Sequence, residues 1–508
     1  MLFNSYIFVL AFLPVFLIAF FAVRKASYEN PKMRGLCKAL VAACSLLFYA
    51  PFGWRNLLAL VMSIVVNGVL AWILVRHRGQ AAILRKDEGL KGADESALGN
   101  GAATLTPGRI LLGAAVTVNV IWLLAFKFNG IFFPVAVSFY TFNQISYLVD
   151  LYRGEIPFSG ETAGNGNGFD LLGYLSYILF FPKLLQGPLM RYSEFDSEFE
   201  KAMDARVDYE VLLRGLYLFS MGLFKKVILA DTFGKAVNWG FDNIPTLGSL
   251  EAVLVAVFYS FQLYFDFSGY CDMAAGVCKM MGFELPLNFN SPYKAQNIID
   301  FWKRWHITLT KFFTKYIYIP LGGNRRGMAR MYINLMIVFL VSGLWHGNGW
   351  TFIVWGVMHG ALYVVTRMLK DHPLPVPRAI KVIMTFIYVT LAWVFFRAAT
   401  VRDALLLIVR MFTGGRKPIA SALSSCFMLD ELWYVIKVTP VMKLSFAWDI
   451  CLWLFVVFAA AVVFFAPNAI ERAARDRIGV KTTLLTGVLL VWSVVSFAGV
   501  STFLYMNF

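Results

Sequence analysis

Two histidines are the candidates for chemistry: His346 in the largely apolar "GLWHGNGW", and His306 in "WKRWHITLT", where basic residues alternate with aromatics. An imidazole has a reference pKa of ~6.5, so near neutral pH it suits general-base work, taking a proton from a hydroxyl and handing it on. An ionisable side chain inside an apolar stretch of spanning length is costly and marks a functional candidate. His346 falls in "VFLVSGLWHGNGWTFIVWGVMHG", residues 338–360. Gly343, Gly347 and Gly349 flank it and admit close approach of backbone or substrate. Trp345 and Trp350 supply rigid walls, and Asn348 a second polar group. Two readings stand for His346: a buried neutral imidazole hydrogen-bonded to a carbonyl, or a base.

His306 follows Lys303 and Arg304. Those cations disfavour the imidazolium and leave a neutral ring. The competing reading is an interfacial histidine among long basic side chains. The other three histidines carry less. On one continuous helix His359 lies a rotation of roughly 220° from His346, so the two face apart and His359 reads as packing or support. His77 and His372 sit in charged loops and read as solvated surface.

No P-loop, HExxH, GxSxG or paired-carboxylate glycosidase pattern occurs. The six cysteines include no CxxC and read as small buried hydrophobes rather than zinc ligands or a disulfide frame. No metal site is expected. What remains is chemistry based on neutral histidine. Acyl transfer fits, because it needs a base for a hydroxyl and a polar environment for the thioester oxyanion.

The elements that must position these residues read as membrane helices. Of 508 residues 59% are hydrophobic and 15% charged, and mean hydropathy is +0.66. Soluble chains have roughly 45–50% apolar and about 25% charged residues. The expected fold is an all-α polytopic membrane protein with ~10 spans. Apolar runs lie near 5–23, 36–50, 56–75, 110–126, 131–151, 252–281, 331–345, 350–368, 380–396, 450–466 and 482–500, with a further span within 207–234. Basic loops at 24–35, 76–109, 367–381 and 467–481 are placed in the cytoplasm by the positive-inside rule, which puts the N-terminus outside. The first run lacks a basic leader and a cleavage site, so it reads as an uncleaved span. The net charge of +16 is assigned to those loops and to anionic membrane lipid. Nucleic acid is not an expected partner, since no soluble basic domain is present to bind it.

Gly- and Ala-rich residues 76–108 and the stretch 159–168 read as mobile linkers. Residues 171–192, interrupted by Pro182, Gly187 and Pro188, read as a bent or re-entrant piece. Residues 301–316 read as one interfacial helix, with Arg304, Lys311 and Lys315 within roughly 40° of one another. Phe301, Trp305, Phe312 and Tyr316 gather on the adjacent face, and Gly322 and Gly323 end the pattern. The whole reads as a single membrane domain: N-terminal spans 1–152, a catalytic core at about 171–368, and C-terminal spans 380–508. No internal repeat is evident, which weighs against a glycan or lipid transporter.

Three stretches, "FDFSGYCDMAAGVCKMMGFELPLNFNSPY", "DFWKRWHITLTKFFTKYIYIPLGGNRRG" and "LVSGLWHGNGWTFIVWGVMHG", together with "FFPKLLQGPLMRY" and "LAWVFFRA", resemble the membrane-bound O-acyltransferase (MBOAT) superfamily. The match is nearest to its bacterial alginate O-acetylation branch. The resemblance implies a ring of transmembrane helices, with re-entrant and interfacial helices, around a central tunnel in a bacterial inner membrane. It implies transfer of an acyl group, usually acetyl, from a cytoplasmic thioester such as acetyl-CoA to an acceptor reached from outside. The two motif histidines map to His306 and His346, the second being the usual base. Trp305, Trp345 and Asn348 are candidate substrate contacts. The basic helix expected over 301–316, together with Arg325 and Arg326, is a candidate for the donor's phosphates, with positive-inside anchoring as the rival account of the arginines. A periplasmic SGNH-type acetyltransferase or polysaccharide assembly proteins are implied partners, and no bound cofactor is implied. D-alanyl transfer to teichoic acid, lipid or sterol acylation within the superfamily, and transport remain the alternatives.

Overall fold

The computed structural model describes residues 1–30, 33–87, 106–128, 132–156, 169–372 and 375–429, then 431, 433, 437–440, 444, 446–499 and 502–504. Of the expected linkers, 88–105 and 159–168 lie outside the described residues, whereas 76–87 is not a linker but continues the helix Trp54–Asp87. Among those described, every regular element is helical. Nine helices are long and apolar enough to cross a membrane: Phe8–Tyr28, Arg34–Phe52, Trp54–His77, Pro107–Phe128, Ser249–Met281, Met328–His346, Arg378–Arg397, Ala447–Phe464 and Val480–Ala498. Each coincides with an apolar run read from the sequence. The runs at 131–151 and 350–368, and the span expected within 207–234, also form helices, but fall outside these nine.

The chain divides into two compact units. The first comprises Met1, Phe16–Leu185 and Leu189–Ala205. It holds most of α1 (Leu13–Glu29), then α2 (Arg34–Tyr49), α3 (Trp54–Asp87), α4 (Pro107–Phe128), α5 (Val137–Arg153), α6 (Leu171–Leu179), α7 (Phe181–Leu184) and α8 (Tyr192–Asp204). Helices α3, α4 and α5 are joined by buried amides. Ser63 Oγ donates to Gln144 Oε1 at 2.8 Å, Asn67 Nδ2 donates to the same oxygen at 3.1 Å, and Asn119 Nδ2 donates to Asn67 Oδ1 at 2.6 Å. Between apolar helices such bonds supply the specificity that hydrophobic burial cannot. The expected break in 171–192 is present: α6 stops at Phe180, just ahead of Pro182, and a single short turn comes next.

The second unit comprises Leu2–Val15, Gln186–Pro188 and Arg206–Phe508. Helices α9 (Tyr209–Phe224) and α10 (Asp231–Asp242) are joined through a π-helical stretch, Lys225–Ala230. Both lie against α11 (Ser249–Met281). The α9–α11 contact depends on glycine. A Cβ on Gly222 would come within 2.6 Å of the Gly269 carbonyl oxygen, and one on Gly276 within 2.6 Å of the Phe219 amide nitrogen. Close backbone approach of this kind is the usual means of joining helices in lipid. Buried ion pairs fix the register: Lys225 with Asp272 at 2.6 Å, and Lys226 with Asp231 and Asp266 at 2.8 Å each. Helix α11 is thereby a fixed post for the histidine-bearing segment C-terminal to it.

The single interfacial helix expected over 301–316 does not form. The chain makes α12 (Ile298–Trp302), turns through Lys303–His306, restarts as α13 (Ile307–Phe313) and ends in a π-helical stretch, Thr314–Tyr318. The cause is His306 itself, whose φ of +43° is left-handed. A residue in that conformation cannot continue a right-handed helix. The basic stripe deduced for a continuous helix is therefore lost, and Phe301 and Trp305 are buried instead of interfacial. Next come α14 (Met328–His346), α15 (Trp350–Met368), α16 (Arg378–Arg397) and α17 (Val401–Thr413).

Candidate active site

His346 is the last residue of α14. Three things stop the helix there: Gly347 in an extended conformation, exposed Asn348, and Gly349 leading into α15. Gly343 and Gly356 let α14 and α15 touch backbone to backbone. A Cβ on Gly343 would lie 2.5 Å from the Phe352 carbonyl oxygen, and one on Gly356 2.6 Å from that of Phe339. A Cβ on Gly347 would meet the Phe352 ring at 2.0 Å. The space beside Gly343 and Gly347 is thus filled by this chain's own α15, not left open for a substrate.

The His346 ring is 3% exposed. It lies against Trp345, Trp355 and Phe396, with ring centroids at 4.6, 5.2 and 4.9 Å. Trp345 is indeed a wall, but Trp350 is not: it is 78% exposed. Asn348 is also exposed. Because α14 and α15 are separate helices, the rotation computed for one continuous helix does not apply. His359 and His346 instead meet the same indole, that of Trp355, at 4.9 and 5.2 Å. His359 is otherwise ringed by Trp302 and Trp393, at 5.1 and 5.9 Å.

His306 is 1% exposed. Backbone bonds pair its loop with residues 288–290: the Ile307 N–H donates to the Asn288 carbonyl at 3.0 Å, and the Asn290 N–H to that of Arg304 at 2.9 Å. The Asn288 side chain joins His306 Nδ1 through Oδ1 at 3.1 Å. The same oxygen accepts from the Thr308 hydroxyl at 2.9 Å and the Thr308 N–H at 3.3 Å. Phe267 of α11 presents its edge at 4.8 Å. A left-handed non-glycine residue costs about 1–3 kcal/mol and persists only where its surroundings over-determine it, which these bonds do.

The expectation of a neutral His306 holds, but for a different reason. Burial pushes its imidazole from the ordinary value down to about 3. Arg304 is committed to Asp300 at 2.7 Å, and Lys303 is exposed. His306 lies outside all nine spans.

The structure brings the two motif histidines onto one side chain. The Trp345 indole lies 6.4 Å from the His306 ring and 4.6 Å from that of His346. Trp305 is enclosed by Phe289, Phe301 and Trp393 at 5.0, 5.6 and 5.1 Å. Arg325 and Arg326 are exposed, in a loop that Asn334 of α14 holds by donating to the Gly323 carbonyl at 2.9 Å. Asn288 and Trp355 were not read from the sequence as site residues. The signal for Asn288 was an amide at the turn just before the histidine segment. Among the described residues no group of histidine, cysteine and carboxylate side chains could hold a metal ion.

His306 and His346 are thus two buried histidines against one tryptophan, in a chain built from apolar helices. The family model of the membrane-bound O-acyltransferase family, MBOAT, matches residues 158–401. The peptidoglycan O-acetyltransferase of Helicobacter pylori is 40% identical over 429 residues, covering 80% of this chain and 78% of the relative. A protein of Azotobacter vinelandii named "Probable alginate O-acetylase AlgI" is 34% identical over 423 residues, covering 82% and 79%. The teichoic acid D-alanyltransferase of Bacillus subtilis is 31% identical over 239 residues, covering 45% and 57%. The chain belongs to the MBOAT family and is a multi-pass membrane O-acyltransferase.

Proposed function

We propose that this protein moves an acetyl group from a cytoplasmic thioester, acetyl-CoA or an acyl carrier, to the hydroxyl of an exported or cell-wall polysaccharide. It does so directly or through a periplasmic SGNH-type acetyltransferase. The setting is a bacterial inner membrane, with the N-terminus periplasmic and the helices arranged around a central tunnel. The observation that carries the chemistry is the placing of His306 and His346 on the Trp345 indole. The Helicobacter pylori and Azotobacter vinelandii relatives, named for acetylation of peptidoglycan and alginate, are 40% and 34% identical and matched over more than three quarters of their own length, whereas the Bacillus subtilis D-alanyltransferase is 31% identical and matched over 57%. That difference favours acetyl over D-alanyl transfer.

In this reading His346 takes the proton of the acceptor hydroxyl as its oxygen attacks the thioester carbonyl carbon. The C–O bond forms, the C–S bond breaks, and the proton passes to the leaving sulfur. His306 orients the first imidazole or shares its proton, and Trp345 and Trp305 shape the passage for the substrates. The Arg325–Arg326 loop receives the donor's phosphates. Its anchor, Asn334, is twelve residues before His346, or about 18 Å of helix, a distance suited to an extended pantetheine arm.

The test uses purified protein in proteoliposomes with labelled acetyl-CoA and isolated glycan. Label should reach glycan or the added partner, and His346→Ala should abolish transfer while the protein still inserts and purifies. Undiminished transfer by that variant removes the base assignment. Transport of glycan without thioester consumption removes the acyltransfer reading.

A further inference from the structure

We infer that Asn288 is a positioning residue that sets the tautomer of His306, holding the proton on Nδ1 and the lone pair on Nε2. This rests on the proposed role of His306 in moving the acceptor's proton, and it says which nitrogen does so.

The assignment comes from donors whose direction is not in question. A backbone N–H can only donate. The Thr308 N–H reaches Asn288 Oδ1 at 3.3 Å, which identifies that atom as the carbonyl oxygen and not the amide nitrogen. The other end of the amide agrees, since Asn288 Nδ2 donates to Cys271 Sγ at 3.4 Å. An amide oxygen has no proton to give. The 3.1 Å contact between Oδ1 and His306 Nδ1 therefore needs the hydrogen on Nδ1. In a neutral imidazole that leaves Nε2 as the proton acceptor.

The rest of the amide's surroundings keep it from turning. Its backbone carbonyl holds the Ile307 N–H at 3.0 Å, and the Thr308 hydroxyl donates to Oδ1 at 2.9 Å. Residues 306, 307 and 308 are thus all bonded to Asn288, which is 1% exposed. The left-handed backbone at His306 brings Nδ1 of the same residue into this set. An acceptor on Nδ1–H that fixes ring and tautomer is the arrangement by which a histidine base is aimed in hydrolase triads. Here His306 takes the acceptor's proton on Nε2, from the hydroxyl or from His346, and returns it to the sulfur as the C–S bond breaks. The Nδ1–H stays with Asn288 throughout.

The titratable and charged groups around Asn288 and His306 are few. Cys271 faces the amide from α11. Asp272, the next residue, is paired with Lys225 at 2.6 Å. Arg304 on the loop is paired with Asp300 at 2.7 Å, and Lys303 points outward.

Two measurements decide the matter. In protein labelled with 15N at the imidazole nitrogens, the His306 signals are identified by their loss in His306→Gln. Wild type should show Nδ1 protonated, and Asn288→Ala a mixture of tautomers. Nε2 protonated in wild type overturns the inference, whatever the activity. The second measurement is the pH–rate profile. Asn288→Ala should lower kcat about 10–100-fold, the range for outer partners that orient a histidine, with donor KM unchanged. Asn288→Asp keeps an acceptor for Nδ1–H, so it should recover much of that rate. Its carboxylate should also move the acid limb of the profile to higher pH by favouring the imidazolium. If Ala and Asp fail alike with an unshifted limb, Asn288 only joins the loop to its neighbour and the inference falls. If wild type has the Nδ1–H tautomer but transfers no acyl group, the function proposed above fails and the tautomer assignment stands.

Discussion

Around His306 the chain is fixed by hydrogen bonds and a left-handed turn; around His346 it is fixed by the shapes of rings and glycines. Asn288 alone makes four contacts to residues 306–308. His346 is set by Trp345, Trp355 and Phe396 and by the backbone contact of α14 with α15. Hydrogen bonds choose which nitrogen carries a proton. Ring packing chooses where a ring lies. The two halves of the site are therefore expected to respond to different injuries, the first to loss of an acceptor and the second to added volume.

Added volume gives the larger effect. Gly343→Ala and Gly356→Ala each place a methyl 2.5–2.6 Å from a carbonyl oxygen, so α14 and α15 must separate or tilt. Overpacking of this kind costs about 1–3 kcal/mol, and the shift acts directly on His346. Each variant should unfold at lower temperature in detergent and lose at least about tenfold in turnover, since small misplacements at a reacting group are costly. Gly349→Ala is the control. Its Cβ meets nothing closer than 3.4 Å, and its activity should match wild type. Wild-type turnover in Gly343→Ala would mean that ring packing does not set His346.

The hydrogen-bonded half makes a pH prediction of intermediate size. Burial lowers the His306 value to about 3, against an unfolded value of ~6.5. The unfolded chain therefore binds more protons than the folded one between those limits, and stability rises with pH across that window. Falling pH should cost up to about 1.4 kcal/mol per unit below pH ~6.5 from this group. Above that it should cost nothing. Thermal unfolding of wild type and His306→Gln across pH 4–8 checks this, because the variant should lose one proton's share of the slope. Parallel slopes would place the His306 ring in contact with water.

Much of this site was legible in the residues themselves. Nine of the apolar runs correspond, among the described residues, to helices long and apolar enough to span, because a helix in hydrocarbon needs an uninterrupted stretch of a known length. The histidines stood out because ionisable groups are rare in such surroundings. Three things were not legible. A φ of +43° at His306 has no signature in a residue type that seldom adopts it, so α12 and α13 read as one helix. Whether Gly343 and Gly347 face a substrate or a neighbouring helix depends on α15 folding back, which local spacing cannot report. The partner of His306 is eighteen residues upstream, and an asparagine in a proline-rich turn is ordinarily read as turn chemistry.

The smallest expected effect lies farthest from both histidines and separates the two accounts of Arg325 and Arg326. Both are exposed, so any attraction for a donor's phosphates acts through water and is screened over roughly 8–10 Å at physiological salt. Exposed pairs are worth about 0–1 kcal/mol each. Double charge reversal, Arg325→Glu with Arg326→Glu, should therefore raise donor KM by no more than about thirtyfold, leave kcat alone, and matter less as salt is added. Asn334→Ala, which frees the loop from α14 without changing charge, should raise KM at every salt concentration. If instead charge reversal leaves KM unchanged and only reduces the amount of correctly inserted protein, these arginines serve topology. Donor recognition would then have to lie closer to Trp345, where the hydrogen-bonded and ring-packed halves of the site meet.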